Sequence, residues 1–172
     1  MIPTIETARL VLRAHELGDF EACAALWGDP AVVRYIGKRP SSRQDAWARL
    51  LRYRGHWELL GYGFWAIVER ATGAFVGECG LADFHREVLP AMPVEAGWVL
   101  VPAAHGKGYA TEAMRGAFAW GAANLSARDV GCVIEIGNEA SFAVARKLGF
   151  VETTRMTVDG DELVVLHSAL HT

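Results

Sequence analysis

Residues 94–113 read V-E-A-G-W-V-L-V-P-A-A-H-G-K-G-Y-A-T-E-A. The apolar, β-prone stretch up to Leu100 stops at Pro102, a glycine-spaced loop follows, and a helix opens at Ala110 and Thr111. A helix start leaves its first backbone N–H groups without intrahelical partners, and the helix dipole adds partial positive charge there. Gly106 and Gly108 let the main chain approach a ligand closely, while Lys107 adds a full charge. The loop is therefore expected to hold an anion, and a diphosphate matches the run of free amides. Two familiar phosphate loops fail on spacing. A P-loop needs Lys followed by Ser or Thr, but Lys107 is followed by Gly108. A dinucleotide fingerprint needs a third glycine where Thr111 stands.

Outward from this loop, helix and strand signals alternate along the whole chain. Arg9 to Arg13 reads as a strand, Gly18 to Trp27 as a helix, and Arg43 to Leu59 as a helix capped by Ser41 or Ser42. In that last segment Ala46, Leu50, Tyr53 and Trp57 recur at three- and four-residue steps. Phe64 to Glu69 and Phe75 to Phe84 predict a hairpin around Ala71-Thr72-Gly73, and Val94 to Leu100 the next strand. Ala113, Met114, Ala117, Phe118 and Gly121 mark the buried face of the helix behind the loop. Val130 to Ile136 is a buried strand, and Asn138 caps a helix ending at Arg146 and Lys147 before Gly149. A strand from Phe150 then turns at Asp159-Gly160 into Glu162 to Ser168. Hairpins together with helical crossovers predict an α+β fold, a mixed sheet covered by helices.

The chain has 172 residues, 52% of them hydrophobic and 22% charged, which predicts one soluble domain over residues 1–172. A formal net charge of −3 with scattered Lys and Arg argues against nucleic acid as a partner. The three cysteines, Cys23, Cys79 and Cys132, are far apart and lack C-x-x-C spacing, so neither a zinc site nor a disulfide framework is indicated. A reducing cytoplasm fits them. The opening M-I-P-T-I-E-T-A-R-L has neither the basic start nor the apolar run of an export signal, and no stretch is long enough to span a bilayer. Oligomeric state is not legible.

The loop resembles the acyl-coenzyme A loop of the GNAT acetyltransferase superfamily, which runs Gln or Arg, two residues, Gly, one residue, Gly or Ala. His105 takes the first position, Gly108 the glycine and Ala110 the final small residue. Three further stretches are similar to the RimJ/RimL-type branch, the ribosomal-protein alanine N-acetyltransferases. They are E-T-A-R-L-V-L-R (Glu6 to Arg13), G-D-P-A-V-V-R-Y-I-G (Gly28 to Gly37) and N-E-A-S-F-A-V-A-R-K-L-G-F (Asn138 to Phe150). The resemblance implies a three-layer αβα fold whose mostly antiparallel sheet splays between two parallel strands, Val94 to Leu100 and Val130 to Ile136. It implies acetyl-CoA as cofactor. Amides of Gly106, Lys107, Gly108, Tyr109, Ala110 and Thr111, beside His105, would hold its pyrophosphate. Asn138, Ser141 and the strand backbone at Trp98, Val99 and Leu100 would hold the pantetheine arm. A strand bulge near Val99 and Leu100 would present amides that polarise the thioester carbonyl.

Acetyl transfer to an amine needs a neutral nitrogen, a polarised carbonyl and a proton for the departing thiolate. Strand alternation sets Glu95 opposite Val94, Ala96 and Trp98. The resemblance makes Glu95 a general base through water, or an amine anchor; its other reading is a solvent-facing charge. Ser141 is a candidate acid for the thiolate or simply a helix cap. Many superfamily members use instead a tyrosine after the segment matching Leu148-Gly149-Phe150, and here Tyr35, Tyr53, Tyr62 and Tyr109 all lie upstream. Glu78 reads as a substrate contact or a cross-strand ion pair. His167 and His171 have i, i+4 spacing but fall in a strand and a tail, which argues against a metal. Trp47 and Trp57 are candidates for lining an acceptor groove. The acceptor is an amine: a protein N-terminus, a polyamine, an amino acid or an antibiotic. A non-catalytic acyl-CoA sensor is the alternative from another class.

Overall fold

The computed structural model describes residues 1–86, 92 and 94–170. The elements follow as β1 (Ile5–Glu6), β2 (Leu10–Arg13), α1 (Phe20–Gly28), α2 (Pro30–Val33), α3 (Arg43–Leu60), β3 (Phe64–Glu69) and β4 (Phe75–Ala82). Then come β5 (Glu95–Leu100), α4 (Tyr109–Asn124), β6 (Asp129–Glu135), α5 (Glu139–Lys147), β7 (Val151–Val158) and β8 (Asp161–Ala169). Among the described residues the strands form one sheet of eight, in the order β1-β2-β3-β4-β5-β6-β8-β7. All neighbours are antiparallel except β5 and β6, so the expected mixed sheet is observed.

Alternation along the central strands divides the molecule into layers. Trp65 and Ile67 of β3, Cys79 and Leu81 of β4 and Ala96 of β5 point to one face. There they meet Ala113, Met114 and Ala117 of α4 in the main core. Phe64, Ala82 and Val99 point the other way, where Tyr53 of α3 and Leu26 and Trp27 of α1 cover them. Trp57, Trp65 and Trp120 interlock edge-on at centroid distances of 4.7 to 5.4 Å and close the end between the layers. Trp57 is thus core. Trp47 packs on Phe20 at the surface, and neither residue lines the pocket described below.

β2 falls where the sequence places a strand, and the short β1 pairs with it in a hairpin whose turn is tied to α4, the Thr7 hydroxyl and the Arg9 N–H both donating to Glu112. Two features differ from the sequence reading for local reasons. β4 stops at Ala82, since Asp83 accepts the His85 N–H (2.9 Å) in a side-chain-closed turn. The expected bulge in β5 is not there: β4 and β5 pair without a register shift from Gly77↔Leu100 to Ala82↔Glu95, and the break lies instead between β3 and β4 at Ile67/Val68. His167 lies in β8 opposite Gly131, and His171 lies outside the described residues.

Candidate functional site

The parallel pair β5 and β6 meets only at Glu95↔Gly131 and then diverges. Val94 O accepts from Gly131 N–H (2.9 Å) on the β6 side, and Val101 N–H donates to Val76 O (3.0 Å) on the β4 side. Peptide groups along a strand alternate in direction. The N–H groups of Trp98 and Leu100 therefore face the widening gap, while that of Val99 faces β4. Without a bulge, alternation alone supplies main-chain donors to the cleft.

That cleft is a cavity of about 620 Å³. Its β5 wall carries Glu95, Trp98 and Val99, and its β6–α5 wall carries Cys132, Asn138 and Ser141. Asn138 caps α5 by accepting the Ser141 N–H (3.2 Å). Capping is thus done by Asn138, and the Ser141 hydroxyl has no protein partner among the described residues, which leaves it available to a ligand. Burial pushes the Cys132 thiol far above its usual range, so it stays protonated and is no nucleophile.

Beyond Val99, the last β5 residue lining the cavity, His105 Nε2–H donates to Leu100 O (3.0 Å) and ties the loop to β5. Gly106 and Gly108 both take left-handed φ, +74° and +79°, which only glycine adopts without strain, and a Cβ on Gly106 would meet nothing within 4 Å. α4 has no side-chain cap. Its first internal N–H, that of Glu112, bonds Gly108 O (3.1 Å), so the amides of Tyr109, Ala110 and Thr111 are free. The side chain of Tyr109 is committed elsewhere, since its hydroxyl donates to Glu69. Ala110 and Thr111 are buried, so this end offers backbone rather than side chains. Arg9 braces the loop from outside through Lys107 O (2.9 Å) and Glu112 (2.7 Å). A second depression beside Gly108 and Thr111 is edged by the Arg9–Glu112 pair, Arg115 and Lys147, and so keeps an excess of positive charge. An uncapped helix start beside Arg115 and Lys147 suits a polyphosphate.

Glu95 is buried and held side-on by Nε–H and Nη2–H of Arg86, at 2.7 and 2.8 Å. It is not a solvent-facing strand charge. Glu78, on the same sheet face, is fully buried behind the cleft. Trp27 Nε1–H (2.8 Å) and the Cys23 thiol (3.1 Å) donate to it, and His15 Nε2 stands 3.3 Å away. Burial drives its carboxyl up, but His15, Trp27 and Cys23 together bring it below the ordinary range. Glu78 is therefore neither a substrate contact nor a cross-strand pair, for His15 follows the end of β2.

The sequence reading missed the cleft's outer wall. Tyr35, Arg49, Arg52, Phe84 and Arg86 line it, brought together from the α2–α3 connection, α3 and the segment after β4. Tyr35 also lies against the β6–α5 turn, with ring atoms 3.3 to 3.8 Å from where a Cβ on Gly137 would sit. A tyrosine upstream in sequence thus stands next to Asn138 in space.

A family model described as an acetyltransferase (GNAT) domain matches residues 9–151. An uncharacterized protein of Bacillus subtilis, YkkB, is 31% identical over 147 residues, covering 83% of this chain and 82% of that protein. An uncharacterized N-acetyltransferase of the same organism, YoaA, is 29% identical over 154 residues, covering 87% and 84%. Among solved structures, a GNAT-family acetyltransferase from Bordetella pertussis superposes with a TM-score of 0.84 at 27% identity, covering 96% of this chain and 98% of that one.

Proposed function

The chain belongs to the GNAT acetyltransferase family, and from that premise we propose that it is an acetyl-CoA-dependent N-acetyltransferase acting by direct attack of a primary amine in a ternary complex. The acceptor amine is in the finer reading an α-amine, of the kind the RimJ/RimL-type resemblance implies for a protein N-terminus. The observation that carries the proposal is the single-residue pairing of β5 with β6, which opens a cleft lined by Glu95, Trp98, Asn138 and Ser141, with the loop before α4 tied to the end of β5 by His105.

Acetyl-CoA would supply the activated acyl group as a thioester. The amides at residues 106–111 would hold its diphosphate; Asn138 and the Trp98 and Leu100 amides would hold and polarise the acyl arm. The N–C bond forms as the C–S bond breaks. The amine's proton leaves toward Glu95, directly or through water, and the thiolate takes one from Ser141 or Tyr35. An α-amine titrates near ~7.7–8.0 against ~10.4 for a lysine, so it asks little of the base. Arg86 holds Glu95 in place, and its two bonds leave one lone pair on each carboxylate oxygen for an amine or water.

The same Arg86 clamp favours the second reading, an acyl-CoA sensor whose acid is locked away. Calorimetry and a thiol-release assay separate the two. Coenzyme A is expected to bind the wild type, and Gly108→Trp to weaken binding by roughly 100-fold or more, since a side chain at its left-handed φ strains the loop that presents the free amides. Unchanged affinity in a variant whose circular dichroism is native overturns the loop assignment. Turnover that drops with Glu95→Gln supports the enzyme; tight coenzyme binding with only background release supports the sensor.

A further inference from the structure

The cleft's outer wall is asymmetric in charge. Arg86 is paired with Glu95, and on the far side Glu135 and Asp161 are paired with Lys38. Arg49 and Arg52, one turn apart on α3, face no carboxylate within ion-pair distance among the described residues. Other arginines are neutralised: Arg43 by Glu21, Arg13 by Asp19, Arg9 by Glu112. The Arg49 guanidinium carbon stands over the Trp27 ring, 3.6 Å from its centroid, and the residue is half-buried with its Nε enclosed and unbonded. The guanidinium of Arg52 stands 5.9 Å from the Tyr53 ring centroid and 6.0 Å from that of Phe84. Glu78, the buried acid behind this wall, is already taken by Trp27, Cys23 and His15.

Two permanently charged forks one helical turn apart repel one another; Arg49 reaches the Tyr53 hydroxyl, but among the described residues neither fork has a carboxylate partner. Arg52 is exposed at the cleft's rim, and partial burial with the neighbouring Arg49 pulls its guanidinium below its usual value. Planar guanidinium groups match carboxylate and phosphate oxygens two at a time.

We infer that Arg49 and Arg52 recognise an oxyanion on the acceptor itself, so that the substrate is an amine bearing a carboxylate or phosphate, not a polyamine or a neutral amine. This rests on the proposed acetyl transfer, because it uses the same cleft. The amine goes to Glu95 on β5 and the anion to α3, with the Tyr53, Phe64 and Phe84 rings between them. Free amino acids, peptides with an acidic first residue and phosphorylated amines share this chemistry.

Matched pairs test it. Aspartate against asparagine amide, an Asp-Ala dipeptide against Asn-Ala amide, and phosphoethanolamine against ethanolamine are compared, with spermidine as the cationic control. The anionic member of at least one pair is expected to have kcat/KM higher by roughly tenfold or more. Which pair responds identifies the source of the anion. Arg52→Gln should erase that preference by raising KM for the anionic acceptor, with the KM for acetyl-CoA unmoved; Arg49→Lys should keep the charge and lose most of the effect. Titrating Asp-Ala and phosphoethanolamine into the protein in a calorimeter, wild type against Arg52→Gln, reads the same contact without turnover. Binding that weakens in the variant supports the inference even if the transferase reading fails. Equal binding, no binding of any anionic probe, or faster turnover of spermidine overturns it and leaves acetyl transfer standing.

Discussion

Glu78 shows what one residue does when two donors and an imidazole converge on it. A carboxylate with no exposed surface survives because Trp27 and Cys23 donate hydrogen bonds and His15 lies alongside. Removing it leaves a buried indole N–H, a thiol and an imidazole without their acceptor. Glu78→Ala should therefore cost about 3–5 kcal/mol in urea unfolding, and Glu78→Gln about 1–3, since an amide oxygen replaces only part of the acceptor set. A cost below about 0.5 kcal/mol for Glu78→Ala would contradict this network. The pH dependence follows in sign. The folded carboxyl lies below its unfolded value, so its contribution is present above the usual carboxylate range, near ~4.3, and is lost as pH falls through the lowered folded value. Asp19 acts in the same direction: burial raises it, and Arg13 together with the Glu16 N–H more than offsets that. Unfolding free energy measured from pH ~5 downward should fall less steeply in Glu78→Gln than in the wild type. Little of this was legible in sequence. Alternation placed Glu78 on a face, but only the fold shows that His15, Cys23 and Trp27 reach it from two earlier segments.

At the scale of elements, the sequence carried most where a local rule sets a boundary. Ser42 and Asp45 form the reciprocal cap that opens α3, and Gly61 in a left-handed conformation closes it. Asn138 caps α5 as its position implied, and β3 falls on the expected residues. What failed was the bulge in β5, which was inferred from kinship rather than from any residue in this chain. The arginine wall was invisible for a different reason. Arg49 and Arg52 on a helix with Arg43 and Arg54 read as ordinary solvated charge, and their lack of acidic partners is a property of the tertiary structure. Two glycines test whether elements are understood at the level of packing. Gly55 lies inside α3 with open space where a Cβ would go, so Gly55→Ala should stabilise by about 0.5–1 kcal/mol through the helix backbone alone. Gly80 in β4 is the opposite case. Its Cβ would stand 2.4 Å from Gly63 O and 2.5 Å from the Phe64 Cα, so Gly80→Ala should destabilise by about 1–3 kcal/mol. Opposite signs in thermal unfolding are the expected result; equal effects would refute the packing of α3 or of the β3–β4 pair.

For the whole molecule, the decisive feature is that the sheet is nearly two sheets. β1 to β5 form one antiparallel unit and β6 to β8 another, and one residue pair, Glu95 with Gly131, joins them. Beyond that pair, α4 and the core around Met114, Phe118 and Phe150 carry the connection. Such a joint is cheap to loosen locally, because few backbone hydrogen bonds cross it. A ligand seated in the cleft would touch both halves, with Trp98 and Val99 on one side and Asn138 and Ser141 on the other. Ligand binding to the folded state alone adds about 2.7 kcal/mol of stability at 100 times Kd. For a domain of this size each kcal/mol moves Tm by about 2–4 °C, so saturating coenzyme A should raise it by about 5–11 °C. Free energy alone does not say where the gain lies, and hydrogen exchange does. If coenzyme bridges the halves, protection should rise most at residues 109–112 and 130–147, the two sides of the joint, and least in β7 at the sheet's outer edge. Protection that rises evenly over all strands would mean the ligand stabilises a sheet already continuous. Protection confined to β1 to β5 would mean it never reaches Asn138, and the cleft between β5 and β6 would lose its role as the coenzyme's seat.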